Sequence, residues 1–328
     1  MRTQPAAGMY QKHRSIVTKG SVSAMPNNLT CCTEGGKVNL GFVNKSQVIV
    51  VSKSPDGTSH QSEVTCKDVG SSTCATLTQA KWVKTGNGKT ILVIASTKSV
   101  QFFHWDGSVF LLCHALPQEL DATEATFARG IGTCGPSLIC VGTQSGAILV
   151  FLVSRDESIS FCQKTDEHGT PITDIHGFEG SMASGDDKGS ICFWNGTTAL
   201  TKVHKVEGAG WPCVSIRVWH DLVLAGYASG HLRIFSSESC QIVTEVTAHA
   251  RWISAVDIAP DTGLALTASE DSFLRVWKLE REGDSTVQLK YTATVSCSQL
   301  MGAAFLSSDG KTFAVTAYDS SEVFCFKQ

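Results

Sequence analysis

The sequence predicts an all-β protein, a seven-bladed β-propeller closed by its own N-terminal strand. Three observations carry that prediction. Five segments (residues 140–151, 183–194, 224–235, 266–277 and 315–326) share one plan. Each has a short apolar strand, a Gly or Ala, three residues, a Gly or Ser, and an alternating strand ending on Phe151, Trp194, Phe235, Trp277 or Phe326. In all five the Gly or Ala stands nine residues before the final aromatic. With Phe103, which ends a shorter version, the aromatic ends follow one another at intervals of 41 to 49 residues. A four-stranded propeller blade has a period of ~40–45 residues. Within the segments, apolar and polar residues alternate with period two, as from Leu232 to Phe235. Helical repeats would instead place apolar residues at i, i+3, i+4 and i+7.

A degenerate repeat around Val51 opens the series, which brings the number to seven. No Pro- or Ser-rich linker divides the chain and Pro totals eight, so one domain is expected over residues 14–328, behind a loose polar tail of residues 1–13. Asp56-Gly57, Asp106-Gly107, Asn195-Gly196 and Asp309-Gly310 are dipeptides of the type that turns hairpins. The last repeat ends just after its third strand. The segment from Ser15 to Thr18, apolar at Ile16 and Val17, can supply the missing outer strand and hide a sheet edge.

Of the 328 residues, 42% are hydrophobic and 17% charged, and the net charge is −3. Lys and Arg are dispersed, so no basic stripe for nucleic acid is evident and none is expected to bind. No run approaches the ~18 uncharged apolar residues of a membrane-spanning helix. The polar start lacks the apolar stretch of a secretory signal. The 13 cysteines include no Cys-x-x-Cys and most sit within apolar runs, which suits free buried thiols in a reducing compartment. The expectation is a monomeric cytoplasmic propeller without cofactor or metal. Peripheral membrane association is compatible with the sequence.

The sixth repeat resembles a WD40 repeat. The structural tetrad of that family maps onto His249, Thr267, Asp271 and Trp277. Asp271 would accept from one imidazole nitrogen, the other would accept from Thr267, and the Thr267 oxygen would take the Trp277 indole proton. A His, an Asp and a hydroxyl also compose a catalytic triad, but this hydroxyl lies inside one blade, closed to substrate. In the fourth repeat His168 holds the equivalent place, with Lys188 where the Asp would stand, so a different network is expected; the other blades lack the tetrad. Over residues 14–327 the chain resembles the WD repeat-containing protein 54 family. The likeness is carried by 127–131, 139–143, 171–175, 225–231, 248–251 and Tyr318-Asp319. That resemblance implies a single propeller acting as an interaction protein, and it brings no catalytic residues.

Two motifs mimic nucleotide sites. Gly130, Gly132 and Gly135 form a Gly-x-Gly-x-x-Gly run, but Pro136 and a strand follow instead of a helix, so a hairpin turn is expected. Gly88-Lys89-Thr90 resembles the end of a P-loop, yet Val83 occupies the place of its first glycine. An enzyme would need carboxylates or histidines from several blades converging on the channel. The favoured reading is a non-catalytic scaffold that binds a protein partner through the propeller's top face, the face carrying the loops before the first strands and the turns between second and third strands. The alternative is a phosphoinositide- or nucleic-acid-binding propeller. Candidate partner-binding residues are Trp211, Arg251 and Trp252 before first strands, and Tyr227 and Tyr318 in the turns. Arg129 is expected on the opposite, bottom face.

Overall fold

The computed structural model describes residues 10–67, 75–117, 126–156, 158–280 and 287–328. Six four-stranded antiparallel sheets occupy residues 30–65, 77–115, 128–166, 172–206, 213–247 and 253–294. A seventh is built from Leu300–Phe305, Thr312–Ala317 and Glu322–Lys327, with Gln11–Lys12 and Ile16–Val17 outside them. The seven-bladed propeller expected from the repeats is therefore present. The repeat-ending aromatics all fall in third strands, as Trp194 does in Ile191–Gly196 and Trp277 in Phe273–Leu279. Among the described residues, no helix is long and apolar enough to cross a membrane.

The core is not one cluster. Buried apolar side chains fall into seven groups, one at each junction between neighbouring blades. This explains the small residue that recurs nine positions before each aromatic. A Cβ on Gly142 would overlap Ile172 of the next blade; on Gly185 it would meet Cys213 and Ile216, and on Gly226, Ile253 and Val256. The second strand of one blade must stay thin where the first strand of the next packs against it.

The glycine run from Gly130 serves the same purpose. Gly130 and Gly132 lie inside the inner strand Ala128–Cys134, not in the hairpin turn expected from the sequence, and only Gly135 leads into the turn. A Cβ on Gly130 would press on Asp174, and one on Gly132 on Ile175, so this inner strand abuts Ile172–Phe178 backbone to backbone. Three of the four expected hairpin dipeptides do place glycine at positive φ, at Gly57, Gly107 and Gly310. Asn195-Gly196 differs. It ends the strand Ile191–Gly196, and the bend follows at 197–199.

Closure occurs where the sequence located it, and extends further. Ile16 and Val17 pair with Val323 and Glu322, and Gln11 and Lys12 pair with Lys327 and Phe326. The tail expected to be loose to residue 13 is thus bound from Tyr10 onward. The Tyr10 ring lies 4.9 Å from Phe313 and 5.3 Å from Tyr291, and its hydroxyl donates to the Gly310 carbonyl at 2.5 Å. A polar reading of this segment underweights one large aromatic.

Between the closing strand and the first blade, the chain crosses the top of the channel. The Asn27 amide donates to the Ser254 carbonyl and its side chain bonds to Val214 and Ser215, while the Asn28 amide donates to Met301. Asn27 adopts a left-handed conformation, φ 57°, which Asn tolerates better than most residues. Blades five, six and seven are thereby tied at the top to the lead-in of blade one.

Closure generates a prediction. Tyr10→Ala should lower unfolding free energy by about 3–5 kcal/mol, through lost packing of a large buried ring. Tyr10→Phe should cost only about 1 kcal/mol, the net worth of one hydrogen bond. Chemical denaturation measures both. Equal losses would show that the hydroxyl, not the ring, holds the strand.

Candidate functional site

Among the described residues, two buried constellations combine His, Asp and hydroxyl side chains. In the sixth blade His249 Nδ1 lies 3.0 and 3.1 Å from the two Asp271 oxygens, and Nε2 lies 2.8 Å from Thr267 Oγ1. The Trp277 indole donates to the same hydroxyl at 3.0 Å. Arg275 Nη1 stands 2.8 Å from His249 Nδ1 and 3.7 Å from Asp271 Oδ2, which sets its charge directly beside the pair. Asp271 also takes the amides of Ala250 and Phe273 at 3.0 Å each, joining the loop before the blade to the turn within it.

The fourth blade holds a second such network that sequence spacing missed. His168 Nδ1 bonds Asp186 at 3.0 Å and Nε2 bonds Ser184 at 2.7 Å; the Trp194 indole donates to Ser184 at 2.7 Å. The acid comes two residues after the hydroxyl, not four, so Lys188 never had to be replaced. Asp186 Oδ1 then accepts the Lys188 and Ser190 amides and shapes the turn itself. The signal that could have found it is Ser184, ten residues before Trp194, as Thr267 is before Trp277. Both hydroxyls are fully buried. Neither can reach a substrate, and both networks hold turns.

Electrostatics agree. Burial alone would raise the Asp271 carboxyl, but the bonds from His249, Phe273 and Ala250 hold it below its ordinary value. Burial pushes His249 down, against the pull of Asp271.

On the top face, four of the five candidate partner residues are exposed: Trp211, Arg251, Trp252 and Tyr318. Tyr227 is not. It is 1% exposed, packed under the Arg233 guanidinium at 4.6 Å, with its ring against Gly189 of the preceding blade. The turn position is right, but the side chain fills the junction between blades four and five instead of pointing to solvent. Phe273, which sequence reasoning passed over, joins the exposed set at the turn after Asp271. Among the described residues, exposed aromatics away from the outermost strands are Trp211, Trp252, Phe273 and Tyr318. All four lie on the top, along the arc over blades five to seven.

Inside the ring, charged side chains from several blades do converge. Arg217 Nε bonds Asp257 at 2.9 Å and its Nη1 lies 3.4 Å from Asp174. Lys81 Nζ donates to the Ile131 and Ile175 carbonyls, and His176 Nδ1 accepts the Val218 amide at 3.0 Å. Arg129 lies at the top end of its inner strand, not on the bottom face, and its buried Nε and Nη2 have no hydrogen-bond partner among the described residues. Burial pushes Lys81 down to about 8, and pushes His176 well below its ordinary value with Lys81 and Arg217 adding to the effect. Both carboxylates are already engaged: Asp174 Oδ2 takes the Ile216 amide and Asp257 Oδ2 the Phe305 amide.

The networks predict that Asp271→Ala costs about 1–3 kcal/mol in chemical denaturation, with Asp186→Ala costing at least as much. Wild-type stability for either variant would show that the networks hold nothing. A pH effect follows from His176 and His249. Their folded pKa values lie below the unfolded ~6.5, so the unfolded chain binds more protons as pH falls past that value. Melting temperature should hold above about pH 7 and decline between about pH 6.5 and 5. A flat profile across that window would contradict the burial of both rings as neutral groups.

A sequence model of the WDR54 family matches residues 9–328. WD repeat domain 54 of Rattus norvegicus is 34% identical over 97% of this chain and 99% of its own length. WD repeat-containing protein 54 of Homo sapiens is 32% identical over 96% of this chain and 98% of its own. Among solved structures, a chain of the mitotic checkpoint complex superposes with a TM-score of 0.76 at 13% identity, covering 100% of this chain and 95% of that one, which shows the fold alone. With geometry, repeats and whole-length likeness in agreement, the chain belongs to the WDR54 family of WD-repeat propellers.

Proposed function

We propose that the protein is a non-catalytic scaffold that binds a protein partner through the top face over blades five to seven. WD-repeat propellers typically serve as protein-interaction scaffolds. The observation that supports this particular face is the arc of exposed aromatics, Trp211, Trp252, Phe273 and Tyr318, with the exposed Arg251 among them. Trp, Tyr and Arg dominate binding energy when they sit centrally in an interface. Arg251 can pair bidentately with a carboxylate of the partner. The His–Asp–hydroxyl sets are buried in turns, and the channel carboxylates are bound to backbone amides and Arg217, so each candidate catalytic group already has a structural partner.

The test uses a partner identified by crosslinking in cells and then purified. Arg251→Glu combined with Trp252→Ala should weaken its capture at least tenfold, the loss of one or two central contacts, with melting temperature nearly unchanged. Undiminished capture by the folded double variant would defeat the reading. So would loss of capture caused only by Lys311→Glu in a bottom-face turn. Binding that collapses with rising salt would point to a charged ligand instead.

A further inference from the structure

At the bottom of the channel a 740 Å³ cavity is lined by the first hairpins of blades two, three and four, including Lys84, Gly86, Pro136 and Glu179. A second cavity of 110 Å³ lies deeper and shares Lys81, Trp82 and His176 with the first. Asn27, from the segment that crosses the top, lines the deeper cavity at its far end. The two cavities thus adjoin and form one well entered from below.

Its floor is rich in donors. The Val218 amide occupies His176 Nδ1, so the ring proton resides on Nε2 and is free to donate. Lys81 uses two of its three N–H bonds on carbonyls, and Arg217 Nη2 has no partner among the described residues. The acceptors opposite are committed, apart from Asp174 Oδ1, which is buried without a partner. Of the charged side chains that line the deeper cavity, Lys81 and Arg217 stand against Asp257, two cations against one carboxylate, beside the His176 imidazole. A net buried charge with unfilled donors is costly unless an anion completes it. The deep cavity has room for roughly three waters at about 30 Å³ each, or for one tetrahedral oxyanion in their place.

We propose that this well binds a small soluble molecule bearing a phosphate-type oxyanion, held by Lys81, His176 and Arg217 and guided in by Lys84. The site faces away from the top-face aromatics and does not depend on what binds there.

Inorganic phosphate titrated calorimetrically into the full chain, against chloride at equal ionic strength, should give a saturable one-to-one isotherm. Lys81→Met should weaken binding at least about thirtyfold, the effect of losing a charged hydrogen bond. Because that substitution removes two interstrand bonds, Lys84→Glu is the second arm. Lys84 is exposed at the mouth, and its reversal should weaken binding about three- to tenfold with melting temperature unchanged. Arg251→Glu on the top should have no effect. The proposal is overturned by the absence of saturable binding, by phosphate binding indifferent to Lys84→Glu, or by binding seen only with vesicles carrying phosphorylated inositol lipids.

Discussion

Each blade of a propeller ends inward on a strand with one unpaired edge, and the rest of this structure depends on how those edges are satisfied. Buried amides and carbonyls without partners are expensive, and a ring of seven blades brings seven such edges together. Here a side chain from a neighbouring blade answers at almost every junction. Thr30 accepts the Trp82 amide, Gln79 the Gly130 amide, Asp174 that of Ile216, Ser215 that of Val256 and Asp257 that of Phe305. Cys31 closes the circle on the Phe305 carbonyl. Among the described residues, no side chain of blade three bonds the inner strand Ile172–Phe178 of blade four. There Gly130 and Gly132 let the two inner strands approach directly, and Lys81 of blade two reaches across to Ile175.

That relay explains why the channel is charged. Carboxylates accept backbone amides more strongly than neutral groups do, and two of them need a cation nearby, which Arg217 provides. The same placement leaves Arg129 and Asp174 Oδ1 with unfilled capacity. Stability of the ring and the character of the well therefore have one origin.

The sequence revealed the repeat because the repeat is local. Period-two strands, a small residue and a terminal aromatic all lie within twelve residues, and each has a packing reason at the blade junctions. What it hid is what depends on contacts between distant segments. Asn27 and Asn28 read as ordinary loop residues, yet they bind blades five to seven from a position almost two hundred residues away in sequence or more. Tyr227 stands in the same kind of turn as Tyr318; only the neighbouring blade decides that one is buried under Arg233 and the other half exposed. Asp186 escaped because the acid of a tetrad was sought at one spacing, while the turn lets a carboxylate reach the histidine from either of two places.

The distribution of polar networks between the two faces also divides the labour of the ring. On the top, Asp271 and Asp186 tie the loop before a blade to the turn inside it, and the segment around Asn27 covers the channel. The Asp271 contacts stiffen the loop that carries Arg251 and Trp252, so an incoming partner would order few side chains beyond those it touches there, which favours affinity. On the bottom, by contrast, the short hairpins of blades two to four stand around an open cavity. A rigid, covered top suits recognition of a large surface; an uncovered bottom that leads to donor groups suits a small ligand. One chain can hold both because the inner-strand relay fixes the ring from within and leaves either face free of that duty.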